Sequence, residues 1–169
     1  LEGPVVAQNQ LLFAADWLLN SGEEVPDSFE LKTKEIAGGF PAQIFADGPT
    51  ERRGATPQLF ATLLTLARTE VVISTPYFVP NPTVLDAICA AAIRGIDVTM
   101  IFPKRNDSWV VAAASHSYYR QLLVHGVKIF EFRNGLLHSK TFTIDGVLSL
   151  IGSTNLDLRS FDLNYENDI

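Results

Sequence analysis

One cysteine, one methionine and two tryptophans occur in 169 residues, and each scarcity excludes something. Cys89 alone forms no internal disulfide and has no companions for a zinc site, so neither a stapled secreted scaffold nor a thiolate metal centre is available. Within the apolar run at residues 87–93 it reads as a small buried helix residue. Positive charge is also short, with 13 Lys and Arg against 19 Asp and Glu and a formal net charge of −6. That deficit argues against a broad surface for nucleic acid or anionic lipid, while leaving room for a small basic pocket. No run reaches the roughly 18 uninterrupted apolar residues of a membrane-spanning helix, so the chain is expected to be soluble. Its 11 glycines and 9 prolines are too few and too scattered for a collagen-like or low-complexity segment. A hydrophobic share of 47% is that of a globular domain with a core. The start at Leu1 without an initiator methionine, and the stop after a polar segment, suggest a piece of a longer protein, C-terminally incomplete.

Apolar residues recur at helical spacing over residues 5–20, ending near Gly22. From there to residue 37 the chain is charged, carries Pro26 and shows no period, which marks a linker. A boundary is placed there, leaving residues 1–37 as a helix and linker and residues 38–169 as the main domain. Beyond it the pattern alternates. Residues 40–46 and 71–78 read as strands around a helix at 56–68, with Thr56 as N-cap and Pro57 at the first helical position. A helix at 83–94 stopping at Gly95, a strand at 97–102, a helix at 108–124 closed by Gly126 and a strand at 127–132 follow. Such alternation predicts an α/β fold with parallel pairing through right-handed crossovers. Residues 137–144 and 147–151 are then separated only by Asp145-Gly146, a hairpin signal, so the β-sheet is expected to be mixed and flanked by helices.

In the first strand of that hairpin, side chains two apart share a face, so His138 and Lys140 project together. If Asp145 and Gly146 form a two-residue loop, Ile144 pairs with Val147, Lys140 with Ile151 and His138 with Ser153, and Asn155 follows within reach. An imidazole, an ammonium, a hydroxyl and a carboxamide on one face suit a phosphate: Lys supplies charge, Ser and Asn supply neutral hydrogen bonds, and His can attack phosphorus or move a proton. Glu166 or Asp145 could hold the imidazole. His125, near a helix C-terminus, reads as structural, His116 has no such company, and the loop Lys104-Arg105-Asn106-Asp107 is either a solvated turn or a holder of an anionic headgroup.

The run from His138 through Lys140 to Asp145, followed by Gly152-Ser153-Thr154-Asn155, resembles the HxKxxxxD and GSxN signature of the phospholipase D superfamily. The continuation through Arg159 to Asn164-Tyr165-Glu166, the Pro76-Tyr77-Phe78-Val79-Pro80 segment and Gly3-Pro4 are similar to the second catalytic half of bacterial cardiolipin synthases. The resemblance implies a phospholipase D-like fold and a two-step phosphoryl exchange that uses no metal and no cofactor. One histidine attacks the phosphodiester, a second protonates the leaving alcohol, and the phosphohistidine passes its phosphatidyl group to a new hydroxyl. It further implies that His138 is one of the pair, leaning towards general acid, that Lys140, Ser153 and Asn155 bind phosphate, and that Glu166 orients the histidine. Asp145 is the motif aspartate, with a structural or electrostatic role at the turn.

Family members build one active site from two such motifs. The sequence holds one, so a second half of the same polypeptide is the implied partner, with a homodimer as another route. The substrate implied is an anionic phospholipid, phosphatidylglycerol, two molecules of which give cardiolipin and glycerol at the bacterial cell membrane. Phospholipid hydrolysis or a nuclease activity shares this chemistry, although the net acidity weighs against nucleic acid. A module inactive without its partner half is the remaining reading.

Overall fold

The helix expected near the start forms as α1 (Pro4–Ser21), with proline in its first turn and Gly22 closing it in the left-handed conformation at φ 67°. The computed structural model describes residues 1–24, 33, 36–50 and 52–169. Most of the linker expected before residue 38 therefore lies outside the described residues. Two compact units are present, one comprising residues 1–46 with 169 and the other residues 47–168, a division later in the chain than the boundary expected at residue 37. In the first unit, Gln8 Oε1 accepts from the Ile44 backbone N–H at 2.8 Å. Of the strand expected at 40–46, only the end is extended, as β1 (Phe45–Asp47).

The second unit continues with α2 (Ala55–Leu66), β2 (Glu70–Ser74), β3 (Phe78–Val79), α3 (Pro82–Ile93), β4 (Asp97–Pro103), α4 (Trp109–Val124) and β5 (Lys128–Phe132). It closes with β6 (Thr141–Ile144), β7 (Leu148–Ile151), β8 (Leu156–Asp157), α5 (Leu158–Asp162) and β9 (Glu166–Asp168). A five-stranded sheet has the order β5-β4-β2-β6-β7. β2, β4 and β5 pair in parallel, while β6 runs antiparallel to both β2 and β7. The mixed sheet expected from the hairpin signal is thus present, with β6 beside the central β2 and β7 at the sheet edge.

Local signals explain most element ends. Asn81 caps α3 by accepting from Val84 N–H at 3.0 Å, with Pro82 at the helix start, one residue earlier than the sequence period indicates. Ser108 caps α4 through Val111 N–H, and Gly126 takes φ 91° behind it. The start of α2 differs from expectation. Gly54, at φ 77°, precedes the first helical residue, and Thr56 lies buried inside the first turn, where its N–H donates to Asp47 Oδ2 at 3.1 Å. A carboxylate nine residues upstream does the capping that Thr56 was expected to do. Pro57 remains in the first turn, where a missing N–H costs no intrahelical bond.

The core lies where α2 and α3 cover the sheet: Phe60, Leu64, Ile88, Val71, Ile73, Met100 and Phe142 are all buried. Cys89 joins them, as its apolar surroundings indicate. Arg94 ties the two helices by donating from Nη2 to Leu64 O at 2.8 Å. Phe142, 2% exposed in β6, packs its ring 5.2 Å from that of Phe60 and so fixes the motif strand to α2. Phe142→Ala should lower unfolding free energy by about 3–5 kcal/mol, read from urea denaturation. A loss below about 1 kcal/mol would mean that this contact does not anchor the strand.

Candidate active site

The hairpin turn forms with both central residues in the left-handed region, Asp145 at φ 52° and Gly146 at φ 65°, and Val147 N–H donates to Ile144 O at 3.0 Å. Its ladder, however, is shifted by one residue from the expected register. Ile144 pairs with Leu148 and Thr141 with Ile151, leaving Val147 unpaired and 87% exposed. Regular pairing also begins only at Thr141. Residues 138–140 precede it, and Gly152 N–H reaches Lys140 O at 3.3 Å. Ser153 is consequently not opposite His138 and is drawn to β9 instead, where its N–H donates to Asn167 O at 3.1 Å. Gly152 permits this approach, because a Cβ there would collide with Asp168 and the Asn167 carbonyl.

His138 and Lys140 do emerge together. Lys140 Nζ lies 3.0 Å from His138 Nδ1 and donates to His138 O at 3.0 Å, so the lysine folds back over the imidazole. Between them Ser139 points the other way, its Oγ 2.7 Å from Ser74 Oγ on β2. On its other side the imidazole meets the Tyr77 ring edge-on, with centroids 6.3 Å apart. Tyr77 is in turn held by its hydroxyl, which donates to both oxygens of Asp107 at 2.8 and 2.9 Å.

Glu166 is buried and is gripped by Asn164 Nδ2 at 3.0 Å and by the Ser153 hydroxyl. Among the described residues its hydrogen bonds go there, and the His138 ring meets Lys140 and Tyr77. Its charge nevertheless reaches the site. Burial pushes the Lys140 ammonium below the ordinary lysine value, and the carboxylates of Glu166 and Asp157 pull it back up. Asn155 donates from Nδ2 to Ser160 Oγ at 3.3 Å, while its Oδ1 is buried and accepts no hydrogen bond among the described residues. Parallel pairing of Phe78 with Leu156 sets Asn155 alongside Tyr77, and thus on the His138 side. Below Lys140 a recess is lined by Ser74, Thr75, Thr154 and Asp168 among apolar core residues.

Asp145 stands apart from this group. It lies five positions beyond Lys140, about 16 Å along an extended strand. Its carboxylate accepts from the N–H groups of Arg68, Thr69 and Glu70 and from the Thr69 hydroxyl, at 2.8–3.3 Å. The N–H groups of Glu70 and Thr69 hold that carboxyl well below the usual carboxylate range. The motif aspartate thus clasps the hairpin to the lead-in of β2.

Some contributors went unnoticed in the sequence. Asp168 accepts from Thr154 Oγ1 at 2.6 Å, and burial pushes its carboxyl up. The signal for it was alternation, since residues 166 and 168 share one face of a strand. Asp157 caps α5 through Ser160 N–H at 2.7 Å while also acting on Lys140. Elsewhere, His125 Nδ1 lies 2.7 Å from Gln121 O at a helix end, and Lys104 pairs with Glu131 at 2.6 Å.

Fold and site together define a phospholipase D-type domain. The phospholipase D family member Nuc from Salmonella typhimurium superposes with a TM-score of 0.61 at 23% identity, over 75% of this chain and 81% of that one. Phosphatidylserine synthase from Haemophilus influenzae Rd KW20 does so at 0.61 and 16% identity, over 97% of this chain and 48% of its own. The family described as cardiolipin synthase, PLD-like domain, matches residues 60–169, and the chain belongs to it. Cardiolipin synthase A of Serratia proteamaculans is 40% identical over 98% of the chain, and that of Yersinia pseudotuberculosis 41%. The chain spans about a third of the length of these relatives, 35% in each case.

Removal of the clasp has a pH signature. Asp145→Ala should lower the urea midpoint at pH 7. Because the folded carboxyl titrates below the unfolded value of about 4, its stabilisation is present above that value and fades as pH falls through the folded one. The gap between variant and parent therefore narrows below about pH 4. A gap unchanged from neutral pH into that acid range would contradict an ionised clasp.

Proposed function

We propose that this chain supplies one of two His-Lys motifs for phosphatidyl transfer between two phosphatidylglycerol molecules, giving cardiolipin and glycerol. The observation that carries the reading is the Lys140 ammonium held 3.0 Å from the His138 imidazole at the mouth of a family-defining fold. A partly buried ammonium has less water to give up and attracts a phosphate oxygen strongly. Asn155 adds its remaining amide N–H to the non-bridging oxygens, and Ser153 adds its hydroxyl when that proton turns from Glu166 to the phosphate. Glu166, through Ser153 and its charge at Lys140, acts as a positioning group for this cradle. Asp145 serves the fold rather than the substrate.

The reaction needs two imidazoles. One attacks phosphorus as the bond to the glycerol headgroup breaks; the other gives that oxygen its proton. The primary hydroxyl of a second phosphatidylglycerol then displaces the histidine, losing its proton to the imidazole that had acted as acid. His138 is assigned the acid and base role. The second imidazole comes either from the longer polypeptide, as the greater length of the relatives supports, or from a second copy about a twofold axis.

With phosphatidylglycerol vesicles and 31P detection of cardiolipin, activity per chain should rise with chain concentration. Full turnover by a demonstrably monomeric sample would defeat the two-imidazole requirement. In any sample that turns over, His138→Ala should lower the rate by about 10²–10⁴-fold with the circular dichroism spectrum unchanged, and Lys140→Ala should weaken substrate binding. Retained activity in the histidine variant removes His138 from the chemistry. Phosphatidic acid in place of cardiolipin would identify a hydrolase.

A further inference from the structure

The mouth of the candidate site carries a rim that phosphoryl transfer itself does not use. β4 and β5 pair Pro103 with Phe132, and Lys104 N–H donates to Phe132 O at 2.9 Å, so the segments after these two parallel strands leave the sheet side by side. Ser74, at the close of β2, pairs with Thr141 at the start of β6. Residues 138–140 therefore share this end of the sheet with residues 104–110 and 133–136. The start of α4 reaches the same place. His116 Nε2 lies 3.6 Å from Glu131 Oε1, and Trp109, seven residues earlier, is on the same helix stripe about 10 Å further out.

Trp109 is 82% exposed, with Val110 and Leu136 each 56% exposed; Leu136 lies two residues before His138. An indole this exposed has no burial within its own domain to justify it. Lys104, Arg105 and Arg133 stand exposed on the same segments. Lys104 is matched by Glu131, and Asp107 is engaged by the Tyr77 hydroxyl, whereas Arg105 and Arg133 make no ion pair among the described residues. On a chain of net charge −6, this end presents two guanidinium groups that make no ion pair among the described residues, around an apolar tip.

An exposed indole with aliphatic neighbours and free arginines is the composition that settles at an anionic lipid–water boundary, the ring among headgroups and the guanidiniums on phosphates. Position favours this occupant over a protein. A phospholipid substrate stays in its bilayer, so the His138–Lys140 mouth must open towards one even with the half that brings the second imidazole in place. We propose that Trp109, Val110, Leu136, Arg105 and Arg133 dock this domain on an anionic phospholipid bilayer and present the mouth to the headgroups. The choice of bilayer over protein rests on the phosphatidyl-transfer reading; the docking itself is measured without turnover.

With Trp17→Phe, Trp109 is the single indole. Its emission should shift to the blue and be quenched by brominated acyl chains in phosphatidylglycerol–phosphatidylcholine vesicles, and far less with phosphatidylcholine alone. Arg105→Gln and Arg133→Gln should each weaken vesicle binding about fivefold. Trp109→Ser, with an unchanged circular dichroism spectrum, should weaken it by at least as much. His138→Ala should dock as the parent does, so a failure of the catalytic reading leaves this result intact. Trp109 emission unmoved by anionic vesicles, or full vesicle binding by Trp109→Ser as a protein-covered rim would give, overturns the proposal.

Discussion

Much of this domain depends on one carboxylate satisfying a row of backbone donors at one end of a sheet. Asp145 sits at the hairpin tip in a left-handed conformation, and residues 68–70 direct three N–H groups and a hydroxyl at it. These donors belong to the segment that becomes β2, the strand on which both β4 and β6 pair. Clasping the tip there sets the phase of β6 against β2. Because side chains alternate along a strand, that phase also decides that His138 and Lys140 face one way while Ser139 turns to Ser74.

Charge is managed differently at the other end of the hairpin. Lys140 is partly withdrawn from water, which disfavours its ammonium, and Glu166 and Asp157 restore part of what burial removes. Neither carboxylate is free to take the lysine as its only partner. Glu166 is committed to Ser153 and Asn164, and Asp157 to the first turn of α5. The cation is therefore stabilised without a direct ion pair among the described residues, which leaves its donors on the imidazole and open to an incoming phosphate.

The sequence exposed the parts of this design that are local. Helical and strand periods, the helix stop at Gly126, the Asp-Gly turn and the spacing of His138, Lys140, Ser153 and Asn155 were all readable, because each is decided within a few residues. Contacts between distant residues were not. Thr56 looked like a helix cap because nothing nearby shows that Asp47 will reach its N–H. The hairpin arithmetic assumed that Val147 pairs; it is left out, and every partner moves by one. That single residue separates Ser153 from His138 and delivers it to Glu166 instead. The role of Asp145 was half visible: its turn position could be read, but the donors lie some 75 residues earlier in the chain.

A family fold matched over residues 60–169 and relatives about three times as long agree with a domain that contributes half of a reaction centre. The central claim is that His138 and Lys140 together receive a phosphodiester, and it can be examined apart from catalysis. The most direct measurement follows the His138 imidazole resonances by NMR while glycerophosphoglycerol, a soluble phosphodiester, is added. Saturable shifts of His138 that disappear in Lys140→Ala are the predicted result; resonances that stay fixed while the diester binds elsewhere, or that shift equally without the lysine, would contradict it.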